Sequence, residues 1–156
     1  MTLLKVSPFE ERFNYEKFDC GFIEVNDYLK SKAIQQEKER ITKIHVVQKE
    51  NLIIGYSGIF CSHLFLKLRD QNIEFRVPGI CIGQLGVDRE FQNKGIGKIL
   101  IQHAISLVEK INYYSGCRIV FVDAYDNAIE YYQNLNFQLV QSKPNRNKMV
   151  LDVMDF

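Results

Sequence analysis

The chain has the length and composition of one ordinary globular domain. Its 156 residues are 46% hydrophobic and 25% charged, which suffices to bury about two-thirds of the unfolded surface in one core. The formal net charge of +1 produces no overall field that would favour nucleic acid or a membrane, although a local basic patch remains compatible with it. We expect a single domain over residues 1–156.

The sequence predicts neither a targeting segment nor a metal site. The first residues, MTLLKVSPFEERF, carry acids where a signal peptide needs an apolar run. Nowhere do roughly eighteen apolar residues follow one another, as a membrane helix requires. The four cysteines show no CxxC spacing and no cluster with a histidine, so we expect reduced thiols. Together these features favour a soluble cytoplasmic protein.

The N-terminal segment predicts a short strand and one helix. We expect the strand from Thr2 to Val6, ended by Pro8, and the helix from about Asn26, a plausible N-cap, to Lys38. Cations cluster towards the end of this helix: Lys30, Lys32, Lys38 and Arg40. Such a cluster is typical of a solvated helix face, and the alternative is a basic rim for an anionic acceptor.

The next segment predicts two antiparallel strands. They run from Ile44 to Gln48 and from Leu52 to Phe65, and Lys49-Glu50-Asn51 between them has the length of a hairpin turn. Gly55 and Gly58 lie inside the second strand, where glycine indicates a bulge or a close backbone approach.

A strand, a polar turn and a long amphipathic helix follow. After a short edge strand at residues 74–77 and Pro78, the strand from Ile80 to Val87 leads into the turn DREFQNKG. Apolar residues then repeat at helical spacing from Ile96 to Ile111, which predicts a helix.

Two glycines at the start of this helix predict an anion site. Because Gly95 and Gly97 lack Cβ atoms, backbone N–H groups can close on a phosphate or diphosphate, and the helix N-terminus adds partial positive charge. The loop is not a Walker A motif, since Ile99 follows Lys98. It is not a dinucleotide fingerprint either, because Leu100 occupies the third glycine position. The alternative is an ordinary strand–turn–helix corner.

The last third of the chain predicts a buried strand, a short helix and a closing strand pair. Arg118 to Asp123 is a continuous apolar run, typical of a parallel strand. Asn127 to Glu130 has the spacing of a capping box, and Asn136 suits a left-handed C-cap. Phe137 to Val140 and Lys148 to Val153 are the last two strands. This order predicts an α/β mixed sheet with one parallel βαβ unit and helices on both faces.

The run LGVDREFQNKGIGKIL resembles the GNAT superfamily of acyl-CoA-dependent N-acetyltransferases. The family's diphosphate loop has the pattern [Q/R]xxGx[G/A], which Gln92 to Gly97 match directly after a strand. The order of elements resembles the GNAT fold over nearly the whole chain. The resemblance implies a central, mostly antiparallel sheet whose two parallel strands splay apart and hold the thioester arm of acetyl-CoA, the co-substrate, between them.

The same resemblance implies a binding track for acetyl-CoA. Backbone groups of Leu85, Gly86 and Val87 would bind the pantetheine arm, and the amide near Val87 would point at the thioester carbonyl. The diphosphate would lie against the loop and the first helical turn: Gln92, Asn93, Lys94, Gly95, Ile96, Gly97 and Lys98.

A second motif implies the general acid. The run from Asn127 to Phe137 resembles the family's N-x-x-A-x-x-[F/Y]-Y-x-x-x-G-F, whose second aromatic residue protonates the CoA sulfur. Tyr132 is therefore the candidate acid and Tyr131 a packing residue, and the alternative is that both tyrosines pack. A phenol of pKa about 10 stays protonated at neutral pH and can still protonate a thiolate of pKa about 8.5. Asn127 would bond the pantetheine arm or only cap its helix.

The central strand lacks the carboxylate base that many GNAT enzymes acting on lysine carry, because Gln84 stands in that region. Deprotonating a lysine amine at neutral pH costs roughly 4 kcal/mol, whereas an α-amino group of pKa about 7.7–8.0 costs about 1 kcal/mol. The sequence therefore favours an acceptor amine of low pKa.

The segments FDCGFIEVNDYL, GYSGIF and IGQLGVDREFQNKGIG resemble the GNAT subfamily whose toxin–antitoxin members acetylate the α-amine of aminoacyl-tRNA. This implies aminoacyl-tRNA as acceptor and an antitoxin as partner, and a homodimer is a candidate assembly. Gln84 replaces an arginine typical of that subfamily, and the net charge is low for a tRNA-binding protein. The alternatives are a small-molecule amine, a protein N-terminus, or a catalytically silent CoA-binding domain. Candidate phosphate contacts are Lys30, Lys32, Lys38, Arg40, Lys43, Lys143, Arg146 and Lys148.

Overall fold

Seven strands form one mixed sheet in the computed structural model, which describes residues 3–68 and 72–154. The described elements are β1 (Ser7–Pro8), α1 (Ile23–Ser31), α2 (Ala33–Lys38), β2 (Lys43–Lys49), β3 (Leu52–Lys67), β4 (Glu74–Val87), α3 (Ile96–Asn112), β5 (Ile119–Ala124), α4 (Ile129–Gln133), β6 (Gln138–Lys143) and β7 (Arg146–Asp152). Short 3₁₀ turns at Arg89–Phe91 and Asp126–Ala128 precede α3 and α4.

The strand order confirms the predicted mixed α/β sheet. It runs β1-β2-β3-β4-β5-β7-β6. β4 and β5 are parallel, with pairs from Gly79 and Ile119 to Ile82 and Val122. The pairs β1–β2, β2–β3, β5–β7 and β6–β7 are antiparallel.

The chain divides into two compact units. The first contains the residues up to Phe60 together with Gly83–His103, and the second contains Cys61–Ile82 together with the residues from Ala104 onward. The single domain expected from the length stays a prediction.

In the first unit, helices cover both faces of the sheet, as predicted. Val25 and Leu29 of α1 pack in one buried cluster with Ile53 of β3. Its neighbour Ile54 packs in another cluster with Ile96 of α3. Successive strand residues point to opposite faces, so this one strand supports helices on each side.

The hairpin between β2 and β3 has the predicted turn and the predicted irregularity. Glu50 and Asn51 have φ values of 51° and 67°, as both central residues of a type I′ turn require. The register then pairs Val47 with Gly55 and the next residue, Gln48, with Ile53, so β3 holds one extra residue. A Cβ on Gly55 would lie 2.7 Å from Cγ2 of Ile96. Helix α3 can therefore pack this closely on β3 only because residue 55 is glycine.

The predicted helix of residues 26–38 is wrong in two respects. It begins at Ile23, with Phe22 rather than Asn26 at the N-cap position, and it is split into α1 and α2 at Lys32. The hydroxyl of Ser31 donates to the carbonyl of Asp27 at 2.6 Å, a back-bond that bends helices.

Two strand boundaries also differ from the prediction. Thr2 lies outside the described residues, residues 3–6 form no strand, and the first pairing is made by Ser7–Pro8. The break predicted at Pro78 is wrong, because β4 runs through it from Glu74 to Val87. Pro78 lies just before the ladder with β5, which begins at Gly79, so its missing N–H leaves that ladder intact.

The second unit has its own core of Val77, Ile119, Phe121 and Val150. The capping box predicted at Asn127–Glu130 is wrong, since α4 starts at Ile129 with no side-chain cap and Asn127 lies inside a 3₁₀ turn. The left-handed cap at Asn136 is confirmed by its φ of 70°.

Three further observations concern membrane helices, cysteines and metal sites. Among the described residues, no helix is long and apolar enough to cross a membrane. All four cysteines are free. Within residues 3–68 and 72–154, no group of three or more metal-ligating side chains comes together.

Buried His45 should make stability depend on pH. Its ring lies 4.5 Å from that of His103, and its Nδ1 is buried with no hydrogen-bond partner among the described residues. Burial, then His103 and Lys43, lower its pKa from 6.5 to about 4. A lowered pKa means that stability is fully present above pH 6.5 and is lost as the pH falls towards 4, by up to about 3 kcal/mol.

Urea unfolding at pH 7 and pH 4.5 measures this loss. A His45→Phe variant should lose less stability between the two pH values than the unmodified protein, whereas exposed His63→Gln should behave like the unmodified protein. An equal loss in His45→Phe would show that His45 is not responsible.

Candidate functional site

Two side chains hold the loop that joins β4 to α3. Oδ1 of Asp88 accepts from the amide of Glu90 at 3.0 Å, and Oδ2 accepts from the amide of Asp19 at 3.1 Å. Nε2 of Gln92 donates to the carbonyls of Cys20 at 3.0 Å and Val87 at 2.9 Å. These hydrogen bonds fasten the loop at both of its flanks.

The loop then turns sharply into α3. Asn93 and Gly95 have φ values of 63° and 83°, a region that glycine and asparagine tolerate best. The amide of Ile99 donates to the carbonyl of Gly95 at 3.1 Å, which closes the first helical turn. The amides of residues 96–98 therefore have no acceptor within the helix, and α3 has no acidic residue in its first turn. This corner has the features of an anion site.

The residues predicted to bind the diphosphate differ in their exposure to solvent. Gln92, Asn93, Lys94, Gly95 and Lys98 are exposed, and Gly97 is half-buried. Ile96 is buried against the sheet, so its side chain serves the core and only its amide remains for a ligand.

Leu85, Gly86 and Val87 continue β4 past Ile82, where its registered pairing with β5 ends. The side chains of Leu85 and Val87 pack in the same cluster as Ile96. A Cβ on Gly86 would lie 2.8 Å from Cγ1 of Val25, so the glycine permits the N-terminal segment to pack on the strand.

That N-terminal segment supports the loop, and this role was not predicted from the sequence. Asp19 Oδ1 accepts from the amide of Gly21 and from Nδ2 of Asn26, both at 2.9 Å, and Oδ1 of Asn26 accepts from the amide of Cys20 at 2.9 Å. The Gly21 amide, then Asn26, lower the pKa of Asp19. The motif FDCGFIEVND carried a resemblance, but its partners Asp88 and Gln92 lie about seventy residues away, so no local signal indicated this role.

Tyr132 lies in the second unit, on α4. Its side chain is buried, and its ring makes edge contacts with Tyr131 and Phe137, each with centroids 5.3 Å apart. Burial, with a smaller contribution from Tyr131, raises the pKa of Tyr132 well above 10. Tyr131, the predicted packing residue, is the more exposed of the two at 43%.

A hydrogen-bonded cluster sets the position of the turn before α4. Oδ1 of Asp126 accepts from the amide of Asn145 at 3.1 Å and from Nδ2 of buried Asn147 at 2.7 Å. The amide of Asp126 donates to Oδ1 of Asn145 at 3.0 Å, and Oδ1 of Asn147 accepts from Ser142 at 2.7 Å. Asn127 is exposed beside this cluster. The sequence contained no sign of it, because its members lie about twenty residues apart.

The predicted cations form two sets. Lys30, Lys32, Lys38, Arg40 and Lys43 are exposed in the first unit. In the second unit, Nζ of Lys148 lies 2.7 Å and Nη2 of Arg146 lies 3.7 Å from the Asp123 carboxylate, so these two are engaged, and Lys143 is exposed.

Comparison with known proteins agrees with this architecture. The family model described as "Acetyltransferase (GNAT) domain" matches residues 40–139. A curated relative, the tRNA-acetylating toxin of Mycobacterium tuberculosis, is 25% identical over 132 residues, which cover 81% of this chain and 80% of the relative.

Several solved structures share the fold. AtaT complexed with acetyl-methionyl-tRNAfMet has a TM-score of 0.85 at 22% identity, covering 97% of this chain and 95% of that chain. AtaTR bound with acetyl-CoA has a TM-score of 0.82 at 21% identity, covering 97% and 94%. The KacTA–DNA complex has a TM-score of 0.81 at 22% identity, covering 97% and 94%. The predicted fold is thereby confirmed.

Proposed function

The chain belongs to the GNAT acetyltransferase family, and we propose that it transfers the acetyl group of acetyl-CoA to the α-amine of aminoacyl-tRNA. It is thus an N-acetyltransferase with acetyl-CoA as co-substrate. The assignment of the acceptor is supported by the similarity to a curated tRNA-acetylating toxin, which extends along four-fifths of both chains. The small-molecule amine and the protein N-terminus have no comparable support.

Acetyl-CoA binding is supported by the corner between β4 and α3. Its diphosphate would accept hydrogen bonds from the amides of the first helical turn, where the helix dipole also favours negative charge. The pantetheine arm would pair with backbone groups of residues 85–87, which continue β4 past its registered pairing with β5. Gln92 would act through its side chain, which fixes the loop to Cys20 and Val87.

The transfer itself would be a direct attack of the neutral amine on the thioester carbon. The amide of Val87 would stabilise the developing oxyanion, and Tyr132 would give its proton to the departing CoA thiolate. Burial keeps Tyr132 protonated. The same apolar surroundings would also raise the pKa of the departing CoA thiol. The free energy of proton transfer from Tyr132 to the thiolate therefore need not increase.

The absence of a carboxylate at position 84 supports an α-amine as acceptor. Gln84 cannot take a proton, and an α-amine near pKa 7.7–8.0 needs little help to lose one at neutral pH. The run from residue 30 to residue 43 holds five cations against Glu37 and Glu39, a local charge of +3 despite the overall +1. These exposed cations would contact tRNA phosphates.

An antitoxin is the protein partner that this function implies. AtaT is known bound to the C-terminus of its antitoxin AtaR. We propose a corresponding partner here, and a cytoplasmic location, where aminoacyl-tRNA and acetyl-CoA are both present.

Incubation with labelled acetyl-CoA and bulk aminoacyl-tRNA tests the acceptor. We expect label on the aminoacyl end of tRNA and none on uncharged tRNA. If no aminoacyl-tRNA took up label while a free amine did, the proposed acceptor would be wrong and the transferase activity would stand.

Salt should weaken this activity steeply, because each phosphate contact releases counterions. Reversing one charge, as in Lys30→Glu, Lys32→Glu or Arg40→Glu, should reduce the slope of log(kcat/KM) against log salt by about one and leave acetyl-CoA affinity unchanged. Lys110→Glu, an exposed reversal on α3, is the control and should retain the full slope. A shallow slope for the unmodified protein would contradict tRNA as acceptor.

A further inference from the structure

A two-residue segment lies between α1 and the loop that joins β4 to α3. This bridging segment, residues 19–20, makes three hydrogen bonds to the loop through its backbone. The amide of Asp19 donates to Oδ2 of Asp88 at 3.1 Å, and the carbonyl of Asp19 accepts from the amide of Arg89 at 2.9 Å. The carbonyl of Cys20 accepts from Nε2 of Gln92 at 3.0 Å. The position of the bridging segment therefore bears directly on the geometry of the loop.

On its other side, the bridging segment is held by one side chain of α1. Oδ1 of Asn26 accepts from the amide of Cys20, and Nδ2 of Asn26 donates to Oδ1 of Asp19, both at 2.9 Å. Val25 and Leu29 of the same helix are buried in the core, so α1 itself has a fixed position. The amide group of Asn26 thus transmits the position of α1 to the bridging segment.

The placement of Asn26 within α1 is unfavourable for the helix alone. Asparagine ranks low in helix interiors, because its short amide side chain competes for backbone groups. Asn26 is half-buried inside α1, and both ends of its amide group bond atoms that precede the helix. A residue that breaks a local preference in this way is expected where tertiary structure or function needs it.

We propose that Asn26 is a positioning residue for acetyl-CoA, which acts on the loop through residues 19–20 and does not contact the ligand. This inference rests on the proposed binding of acetyl-CoA. Backbone donors bind an anion well when they are held in place beforehand, because ordering a loose loop during binding lowers the affinity. Without the Asn26 side chain, the bridging segment would lose its attachment to α1, and the ligand would have to order the loop.

Calorimetric titration of Asn26→Ala with acetyl-CoA tests the proposal. We expect an affinity about tenfold lower than that of the unmodified protein, the effect of losing hydrogen bonds worth about 1.4 kcal/mol in total. Alanine favours a helix, so α1 should persist, and circular dichroism checks this. The control is Asp27→Ala, an exposed change at the next position of α1, which should bind normally.

Two outcomes of this titration separate the inference from the proposed function. Equal affinities in Asn26→Ala and the unmodified protein would overturn the positioning role and leave acetyl-CoA binding intact. An unmodified protein that does not bind acetyl-CoA would overturn both.

A double-mutant cycle tests the route through the bridging segment. Gln92→Ala removes the side chain that reaches Cys20 from the loop. If Asn26 acts through the same segment, Asn26→Ala/Gln92→Ala should lose little more affinity than the weaker-binding single variant, because coupled residues are not additive. Losses that simply add would show that Asn26 acts by another route and would overturn the proposal.

A truncated donor distinguishes positioning of the loop from general damage to the site. Acetyl-pantetheine carries the same thioester as acetyl-CoA but ends before the diphosphate, so it gains nothing from an ordered loop. With aminoacyl-tRNA as acceptor, Asn26→Ala should keep kcat/KM for acetyl-pantetheine unchanged, while kcat/KM for acetyl-CoA falls about tenfold. Equal fold losses with the two donors would indicate damage to the whole site and would overturn the positioning role.

Discussion

Tyr132→Phe should lower kcat by about 10²–10⁴-fold while leaving the affinity for acetyl-CoA unchanged. The substitution removes the proton donor proposed for the CoA thiolate and keeps the ring, whose edge contacts with Tyr131 and Phe137 hold α4 in place. Single-turnover rates on aminoacyl-tRNA and calorimetric titration with acetyl-CoA measure the two quantities separately.

Tyr131→Phe is the matched control. It removes the same hydroxyl from the adjacent, more exposed tyrosine and should change kcat little. Equal rates for Tyr132→Phe and the unmodified protein would remove Tyr132 from the mechanism. Similar losses in both variants would indicate packing of the aromatic pair rather than proton donation.

The pH profile gives a second measure of the same group. Burial raises the pKa of Tyr132 above 10, so the acid form persists over the whole working range. The rate should rise as the acceptor α-amine loses its proton, level off above about pH 8, and show no fall due to Tyr132 below pH 10.

Gly97→Glu should abolish measurable binding of acetyl-CoA, with a loss of affinity of at least about a hundredfold. The new side chain adds bulk and negative charge to the first turn of α3, where the diphosphate is proposed to lie. The fold should survive, because an acidic residue near a helix N-terminus stabilises the helix. Thermal unfolding without ligand measures the stability of the fold, and calorimetry with acetyl-CoA measures the affinity for the co-substrate.

Gln102→Glu introduces the same carboxylate at an exposed position farther along α3 and should bind acetyl-CoA normally. Acetyl-CoA should also raise the melting temperature of this control and fail to do so for Gly97→Glu, since a ligand that binds only the native state stabilises it. Equal affinities in Gly97→Glu and the control would show that the diphosphate lies elsewhere.

The elements that the sequence predicted well are those with strong local signals. The amphipathic repeat from Ile96 to Ile111 and the apolar run ending at Asp123 appear as α3 and β5. Asn51 and Asn136 adopt the left-handed backbone expected of turn and cap residues. Periodicity and turn preferences act within a few residues, so they are readable without the fold.

The predictions are wrong where the local preference of a residue is outweighed by an interaction with a segment distant in the chain. Asn26 has the side chain of an N-cap, yet it bonds the amide of Cys20 and the carboxylate of Asp19 from inside α1. Pro78 has the preferences of a strand break, yet β4 continues because its ladder with β5 starts one residue later. Asn127 has the spacing of a capping residue, yet its neighbour Asp126 makes the hydrogen bond to Asn147.

By itself the sequence determined the mixed sheet and the glycine-containing turn into α3, because glycine positions, hydrophobic period and the order of elements can be read from neighbouring residues. Only the tertiary structure decided how that loop is held. Gln92 reaches Cys20 and Asp88 reaches Asp19 across about seventy residues of chain, and Asn147 reaches Asp126 across twenty-one. Such bonds form only after the sheet has brought the segments together, so no spacing in the sequence records them.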